Sequence, residues 1–241
     1  NENISKKITI HVNENFNAKH DKKTIPILKK TVNMSDRHNK SVKFSPEPLF
    51  WDCALDGDLD SLQKISLNIA DVDIRNFSGV TALHNAASSG SLFCVQYLVD
   101  LGCDVNLIDD CGWSSLHYAA FYGNTNICDF LIKNGANVFL QTFDQNLTPY
   151  DICKDSGPNK ACLKLLLDAE NEVGLAKNGV VYASHNYSKH HSDELSFKKG
   201  DGFKISKRGD EKEKCWWWAC NNFGHQGYVP FSLLSLYHTK K

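Results

Sequence analysis

The chain lacks any long apolar run. No stretch of its 241 residues reaches the roughly 18 to 20 uninterrupted apolar residues that a membrane span requires. The first 20 residues contain neither an apolar core nor the small-residue cleavage site of a secretory leader. We therefore expect a soluble protein of the cytoplasm, the nucleus or both, with no membrane as a partner.

Paired cysteines are also missing. The nine cysteines are an odd number, and they form no Cys-x-x-Cys pair and no Cys/His set at zinc-ligand spacing. This pattern favours reduced, mostly buried thiols in a cytosolic or nuclear compartment. The cluster of His185, His190 and His191 leaves metal binding or pH sensing open, although exposed loop histidines are usually neither. We expect no metal and no cofactor.

Catalytic motifs are absent as well. The sequence has no phosphate-cradling glycine loop, no His-Glu-x-x-His and no Gly-x-Ser-x-Gly. Its recurring histidines belong to a repeat that is described below. We therefore predict a binding protein and not an enzyme.

Charge is unevenly distributed, although the net charge is only -1. Residues 1–45 hold ten Lys/Arg and four Asp/Glu, residues 46–176 hold six and eighteen, and residues 177–241 hold eleven and six. An acidic middle segment disfavours nucleic acid as its partner and favours a basic protein surface. Solubility alone is the alternative explanation.

A repeat of 33 residues occupies the middle of the chain. The segment "GVTALHNAASSG" at 79–90 returns as "GWSSLHYAAFYG" at 112–123, and "NLTPYDICKDSG" at 146–157 follows with one extra residue. A degraded copy with a helix, a glycine turn and a second helix precedes them at 49–65. The spacing, the Leu-His pair and the double alanine predict about four ankyrin repeats over residues 46–174, stacked as an α-solenoid.

The residues of this repeat have distinct structural roles. A Thr or Ser starts a short helix, and His84 and His117 tie its turn to the neighbouring copy. Gly90 and Gly123 end that helix in a left-handed cap. The second helix buries one apolar face, for which we predict Val95, Leu98, Val99, Ile127, Leu131, Ile132 and, in the third copy, Leu165. Residues 1–45 show no such pattern and are predicted to be a disordered basic arm.

From Gly179 the pattern changes to short β-like runs separated by turns. The order of "ASHNY", "DELSFKKGD", "WWWA" and "GYVPFSLL" is typical of an SH3 β-barrel, which we place at residues 175–241. An SH3 domain binds a polyproline II helix in an aromatic groove. The predicted groove residues are Tyr187, Trp216, Tyr228 and Pro230, and the predicted acidic loop residues are Asp193, Glu194, Asp210, Glu211 and Glu213.

Two short motifs lie in the basic arm. Lys40-Ser41-Val42-Lys43-Phe44 resembles the RVxF docking motif for protein phosphatase 1. In an extended strand Val42 and Phe44 project to the same side, so both can enter apolar pockets. Ile27-Leu28-Lys29 resembles a second phosphatase motif, with Pro26 where that motif has Gly or Ser. An unstructured basic arm and a nuclear import signal are the alternatives.

The order of an RVxF-like motif, an ankyrin array and a carboxy-terminal SH3 domain resembles the apoptosis-stimulating proteins of p53 (the ASPP family). The resemblance covers about residues 41–238. It implies a non-enzymatic regulator that binds p53-family transcription factors and the catalytic subunit of protein phosphatase 1 and modulates apoptosis. The residues that the resemblance assigns to these contacts are Val42, Phe44, Asp193, Glu194, Trp216, Tyr228 and Pro230.

Two other classes of protein remain open. A myosin-phosphatase-targeting-like subunit also places an RVxF motif before ankyrin repeats, but it lacks a terminal SH3 domain. A cytoskeletal or junctional adaptor would use the SH3 groove for unrelated proline-rich ligands. Phosphatase binding through Val42 and Phe44 would distinguish these classes.

Overall fold

The computed structural model describes residues 45–157, 159–173, 179–209 and 215–239. The predicted basic arm and its two docking motifs lie outside these residues. Within the described residues, helices come first and strands follow, as the sequence predicts for an ankyrin array and an SH3 barrel.

The described ankyrin region consists of eight helices in four consecutive pairs. The first helices of the pairs stack on one another, and the second helices stack beside them. Each pair needs its neighbours because one pair cannot bury its apolar face by itself. The pairs are α1 (Glu47–Asp56) with α2 (Leu59–Ser66), α3 (Ala82–Ser89) with α4 (Leu92–Asp100), α5 (Ser115–Phe121) with α6 (Thr125–Lys133), and α7 (Pro149–Ser156) with α8 (Lys160–Glu172).

Two buried histidines connect successive repeats. His84 Nδ1 accepts a hydrogen bond of 3.0 Å from the backbone N–H of Thr81, which caps α3. The opposite ring nitrogen, Nε2, donates to the carbonyl oxygens of Leu107 and Trp113, each at 3.1 Å. His117 repeats this arrangement one copy later. The histidines that the sequence assigned to the repeat therefore join each helix cap to the following loop.

The third repeat differs from the predicted register. Leu98 and Leu131 are fully buried, and Leu166 is the fully buried leucine of α8, whereas Leu165 is only partly buried. The prediction of Leu165 was wrong because a second residue is inserted between Gly157 and the cap of α8 at Asn159. Gly157 accordingly has φ +127° and ψ 178°, not the left-handed cap geometry of Gly90.

The buried histidines should make stability depend on pH. Burial lowers the pKa of both His84 and His117 to about 4, because the charged ring would lose its hydration. The unfolded chain takes up these protons below about pH 6.5, and the folded protein excludes them until about pH 4. The free energy of unfolding should therefore fall as the pH is lowered through this window.

From pH 7 to pH 6 we expect a loss of about 0.7 kcal/mol for each histidine, measured by urea denaturation at the two pH values. The double variant His84→Gln/His117→Gln is the control, because glutamine also fits the third helical position of a capping box and does not titrate. Its free energy of unfolding should change less over this interval. An unchanged pH slope in the variant would contradict the assignment.

The SH3 region folds as one antiparallel sheet of five described strands in the order β4-β3-β2-β1-β5. The segments that contain Tyr187 and Phe197 contribute an isolated bridge between these two residues and no longer strand. Alternate strand residues, including Val181, Phe203 and Val229, fill a small core. The strands are β1 (Val180–Ala183), β2 (Gly202–Lys207), β3 (Trp216–Asn221), β4 (Gln226–Pro230) and β5 (Leu234–Ser235).

A membrane-spanning helix would need far more apolar residues than these helices have. Among the described residues, no helix reaches the length and hydropathy required to cross a bilayer.

Candidate protein-interaction site

Three consecutive tryptophans of β3 separate into two faces of the sheet. Trp217 points into the protein and is 6% exposed, whereas Trp216 and Trp218 lie partly exposed on the outer face. The strand pairing places Pro230 opposite Trp216 and Tyr228 opposite Trp218. These four residues therefore share one face, because directly paired residues of neighbouring strands point to the same side.

Tyr187 extends this face from a neighbouring loop. Its ring centroid lies 6.1 Å from that of Trp216, with the planes at 67°. At the other end, the rings of Trp218 and Tyr228 meet edge to face at 4.8 Å. The structure thus brings together all four predicted groove residues and adds Trp218, which the sequence analysis did not assign. We call the surface of Tyr187, Trp216, Trp218, Tyr228 and Pro230 the aromatic face.

The two predicted carboxylates next to the aromatic face have different surroundings. Glu194 is 8% exposed, and its Oε2 accepts hydrogen bonds from the Tyr187 hydroxyl at 2.8 Å and from the backbone N–H of His190 at 2.7 Å. Asp193 is exposed, and only its backbone oxygen is recorded in a bond, from the Tyr228 N–H at 2.8 Å. Glu194 therefore positions Tyr187, and Asp193 is the carboxylate that an incoming cation would meet first.

The electrostatics of this pair keep Tyr187 protonated. The N–H of His190 holds the pKa of Glu194 below its ordinary value, because the bond favours the charged carboxylate. Loss of hydration and the nearby carboxylate raise the pKa of Tyr187 to about 12. The phenol therefore remains a hydrogen-bond donor to Glu194 at neutral pH, and its ring is held beside Trp216.

The remaining predicted site residues lie outside the described residues, so the structure gives no geometry for them. They are the phosphatase-docking residues Ile27, Leu28, Lys29, Lys40, Val42, Lys43 and Phe44, and the acidic loop residues Asp210, Glu211 and Glu213.

A junction that sequence analysis missed connects the ankyrin array to the SH3 sheet. Asn137, in the loop after α6, is fully buried, and its Nδ2 donates to Ser184 Oγ at 2.9 Å and to the Ser232 carbonyl oxygen at 2.5 Å. Asn106 Oδ1 accepts from the Asn137 backbone N–H at 2.8 Å, and Asn137 Oδ1 accepts from the Phe139 N–H at 2.8 Å. Both domains therefore depend on one amide side chain, whose unpaired burial would be costly.

Aromatic rings pack next to this amide. Phe139 of the ankyrin array meets Trp217 edge to face at 5.7 Å and Phe231 at 4.9 Å. Trp217 and Phe231 stack on each other at 5.9 Å. Trp217 therefore belongs both to the SH3 core and to the contact with the array.

Arg208 reinforces the same contact. Its Cζ lies 5.0 Å from the ring centroid of Trp217, within the range of a cation–π interaction. Its guanidinium donates to the backbone oxygen of Asn171 at 2.6 Å and to that of Val173. These carbonyls lie at the end of α8, where helical partners are missing.

Polar and charged groups border the junction on another side. Lys199 Nζ lies 2.5 Å from Asp104 Oδ2. His185, whose Nδ1 is 3.0 Å from Ser184 Oγ, is partly buried beside them, and burial lowers the pKa of its ring. The residue that replaces a usual SH3 aromatic is therefore positioned near the ankyrin array. Among the described residues, no group of three His, Cys, Asp or Glu is arranged to hold a metal ion.

The repeat register contained a signal for this junction. Counting back from the helix caps aligns two positions of successive loops, and the last loop departs from the earlier ones at both. An amide replaces two carboxylates at the first position, and a phenylalanine replaces polar groups at the second. The aligned residues are Asp71, Asp104 and Asn137, and Asp73, Asn106 and Phe139.

Two family models match the chain. One describes ankyrin repeats and matches residues 50–142 with three copies. The other describes an SH3 domain and matches residues 182–231. The predicted fold class and order of the two domains are confirmed.

Curated relatives share the same region. Apoptosis-stimulating of p53 protein 2 of Mus musculus is 40% identical over 211 residues, 87% of this chain and 19% of that protein. RelA-associated inhibitor of Mus musculus is 37% identical over 204 residues, 84% of this chain and 25% of that protein. Protein phosphatase 1 regulatory subunit 27 of Mus musculus is 38% identical over 100 residues, 41% of this chain and 65% of that protein. The chain thus spans between 19% and 25% of the length of the first two.

Proposed function

The chain belongs, through its ankyrin and SH3 segments, to the family of apoptosis-stimulating proteins of p53, and we propose that it is a regulatory scaffold that binds the catalytic subunit of protein phosphatase 1. In this proposal Val42 and Phe44 are the docking anchors, Lys40 and Lys43 flank them, and the ankyrin and SH3 surfaces add contacts. The proposal includes no catalysis by the chain itself and no cofactor.

One combination of features carries this proposal. The RVxF-like sequence at residues 40–44 occurs in the same chain as an ankyrin–SH3 region, and the ankyrin part resembles a protein named as a protein phosphatase 1 regulatory subunit. Ile27, Leu28 and Lys29 extend the proposed contact on the amino-terminal side. A binding measurement between the whole chain and the phosphatase catalytic subunit tests the proposal, with the docking variants that the Discussion describes.

The aromatic face supplies a second contact, to a proline-rich segment of the same phosphatase. Rings on one face of a sheet accept a polyproline II helix because its prolines are already ordered. A segment bound there and a motif bound at Val42 and Phe44 would reinforce each other, since the second binding step becomes intramolecular. Asp193 is suitably exposed to pair with an arginine of the segment.

Trp216→Ala should weaken binding of a labelled proline-rich peptide by about tenfold, because the ring lies at the centre of the aromatic face. Fluorescence anisotropy with the whole chain measures this change. Phe223→Ala is the control, because Phe223 lies in the turn between β3 and β4 and is 86% exposed. Equal affinities for the Trp216 and Phe223 variants would refute the assignment.

We further propose that a p53-family transcription factor is a partner and that the complex modulates apoptosis in the cytoplasm, the nucleus or both. The support is the printed name of the relative and the acidic array, which would attract a basic DNA-binding domain. Absence of binding between that domain and the whole chain at low salt would contradict the partner, and imaging of a tagged chain would test the location.

An adaptor for unrelated proline-rich ligands is the second candidate function. The observation that favours it is the aromatic face, which needs no docking motif. Selection of a phage-displayed peptide library on the whole chain would distinguish the two, because an adaptor should enrich proline-rich sequences and show no affinity for the phosphatase. Phosphatase binding that requires Val42 and Phe44 would reject this candidate.

A further inference from the structure

Three loops of the ankyrin array present one repeat position at their tips. Phe77 lies in the loop between α2 and α3, Asp110 between α4 and α5, and Phe143 between α6 and α7. Phe77 is four residues before its helix cap at Thr81, and the other two occupy the equivalent places. We call these three residues the tip row.

The tip row is joined by backbone contacts. The Asp110 N–H donates to the Ser78 oxygen at 3.2 Å, and the Phe143 N–H donates to the Cys111 oxygen at 3.0 Å. Gly112 has φ +82°, and a Cβ there would lie 2.9 Å from the Phe143 nitrogen and 3.1 Å from its ring. Adjacent tips are therefore packed closely, and the side chains of the row are held in a fixed order.

The two phenylalanines contribute little to the hydrophobic core. Phe77 is 93% exposed and Phe143 is 65% exposed. A single exposed apolar residue is ordinary, but two at the same repeat position, on tips that are bonded through the intervening one, form a defined surface. Trp113, behind the middle tip, packs on Phe121 at 5.8 Å, so further aromatic surface lies next to the row.

The charges around the tip row are mainly negative. Asp110 and Asp144 are exposed at the tips, and Arg75 is the one described cation in the three loops before the helix caps, besides Asn134's neighbour Lys133 at the end of α6. The segment 46–176 as a whole has six Lys/Arg and eighteen Asp/Glu. Anionic ligands such as nucleic acid or acidic lipid would be repelled, and cationic side chains would be attracted.

We propose that the tip row binds an extended basic segment of a partner protein. Lys or Arg side chains of the segment lie over the rings of Phe77 and Phe143, and a third pairs with Asp110 between them. A cation is attracted to the face of an aromatic ring, and arginine also suits a carboxylate. The tip row thus joins both kinds of cation site in one line.

The repeat spacing predicts the spacing of the basic residues. Helices of neighbouring repeats pack about 8–10 Å apart, so successive tips are separated by about the same distance. An extended chain advances about 3.3 Å per residue, which matches one tip to about three residues. The favoured segment therefore has basic residues at every third position, three in all.

This proposal does not depend on phosphatase binding. The tip row contains none of the docking residues and none of the residues of the aromatic face. Loss of tip-row binding would leave the proposed function intact, and loss of phosphatase binding through Val42 and Phe44 would leave the tip row intact.

A seven-residue peptide tests the proposal. It carries arginine at its first, fourth and seventh positions with glycine and serine between them, and its fluorescence anisotropy is measured with the whole chain at low salt. Phe77→Ala/Phe143→Ala should weaken its binding by about five- to twenty-five-fold, or about two- to fivefold for each ring. Asp110→Asn should weaken binding and reduce its dependence on salt.

Phe93→Ala is the matched control, because Phe93 is 71% exposed on α4 and lies outside the tip row. It should leave the affinity unchanged. A peptide with three adjacent arginines should bind the whole chain more weakly than the spaced peptide. Equal loss in the Phe93 variant, equal binding of both peptides, or tighter binding of single-stranded DNA would each overturn the proposal. Thermal unfolding of every variant verifies that the exposed substitutions leave the fold unchanged.

Discussion

Replacing Val42 and Phe44 together with alanine should weaken binding of the phosphatase catalytic subunit by at least about thirtyfold. Both side chains of an extended docking strand would be buried in apolar pockets, and removal of two such anchors costs at least about 2 to 4 kcal/mol. Isothermal titration calorimetry with the whole chain measures the change. The expected loss lies mainly in dissociation, because anchor contacts form late in association.

The arm provides its own matched control. Val12→Ala/Phe16→Ala removes the same two residue types from the same segment, but the spacing of these residues does not fit the motif. This variant should bind like the unmodified chain. If it loses as much affinity as the motif variant, or if the motif variant keeps its affinity, Val42 and Phe44 are not the anchors and the proposed phosphatase function loses its main support.

The sequence was sufficient to predict the fold because each ankyrin copy repeats the same local chemistry. Thr81 and His84 recur as Ser114 and His117, and their buried hydrogen bonds require these residue types at this spacing. The SH3 landmarks likewise depend on strand alternation, which separates Trp216 from Trp217. Prediction failed where the repeat changes length, as at Leu166, because an insertion moves every later residue around the helix.

The aromatic face could be predicted in part. The four groove residues were identified from their order in the chain, but Trp218 and the burial of Glu194 were not. Alternation places Trp218 on the same face as Trp216 without showing whether a ring there meets Tyr228. The environment of Glu194 depends on how a loop folds back to put Tyr187 and the His190 N–H within hydrogen-bond distance. Such contacts between loops leave no periodic signal.

The ankyrin–SH3 junction was not predicted, although its residues depart from the repeat. Asn137 and Phe139 would face solvent in an array that ends at this loop, so their meaning appears only when a second domain packs there. Their partners Ser184, Trp217 and Phe231 lie more than 40 residues later in the chain. Neither domain alone contains the information that they meet.

Trp217→Ala should have the largest effect on stability. We expect the free energy of unfolding to fall by about 3 to 5 kcal/mol, because a large buried ring is removed and the cavity can collapse only partly. Its contacts with Phe139, Phe231 and Arg208 would all be lost. Urea denaturation followed by far-ultraviolet circular dichroism measures this change.

Trp218→Ala is the control on the same strand, since Trp218 is partly exposed on the opposite face. It should destabilise the protein much less than Trp217→Ala and mainly alter ligand binding at the aromatic face. Equal losses of stability for the two variants would contradict the two-sided arrangement of β3. This comparison removes the general effect of replacing a tryptophan.

A double-mutant cycle separates the junction from the SH3 core. Phe139→Ala removes the ankyrin side of the aromatic contact, and the coupling energy with Trp217→Ala should be about 0.5 to 1.5 kcal/mol, the range for aromatic pairs. A coupling near zero would mean that Trp217 stabilises only its own domain. A measurable coupling would mean that the array and the SH3 sheet stabilise each other, so that their binding surfaces keep a fixed relation during partner recognition.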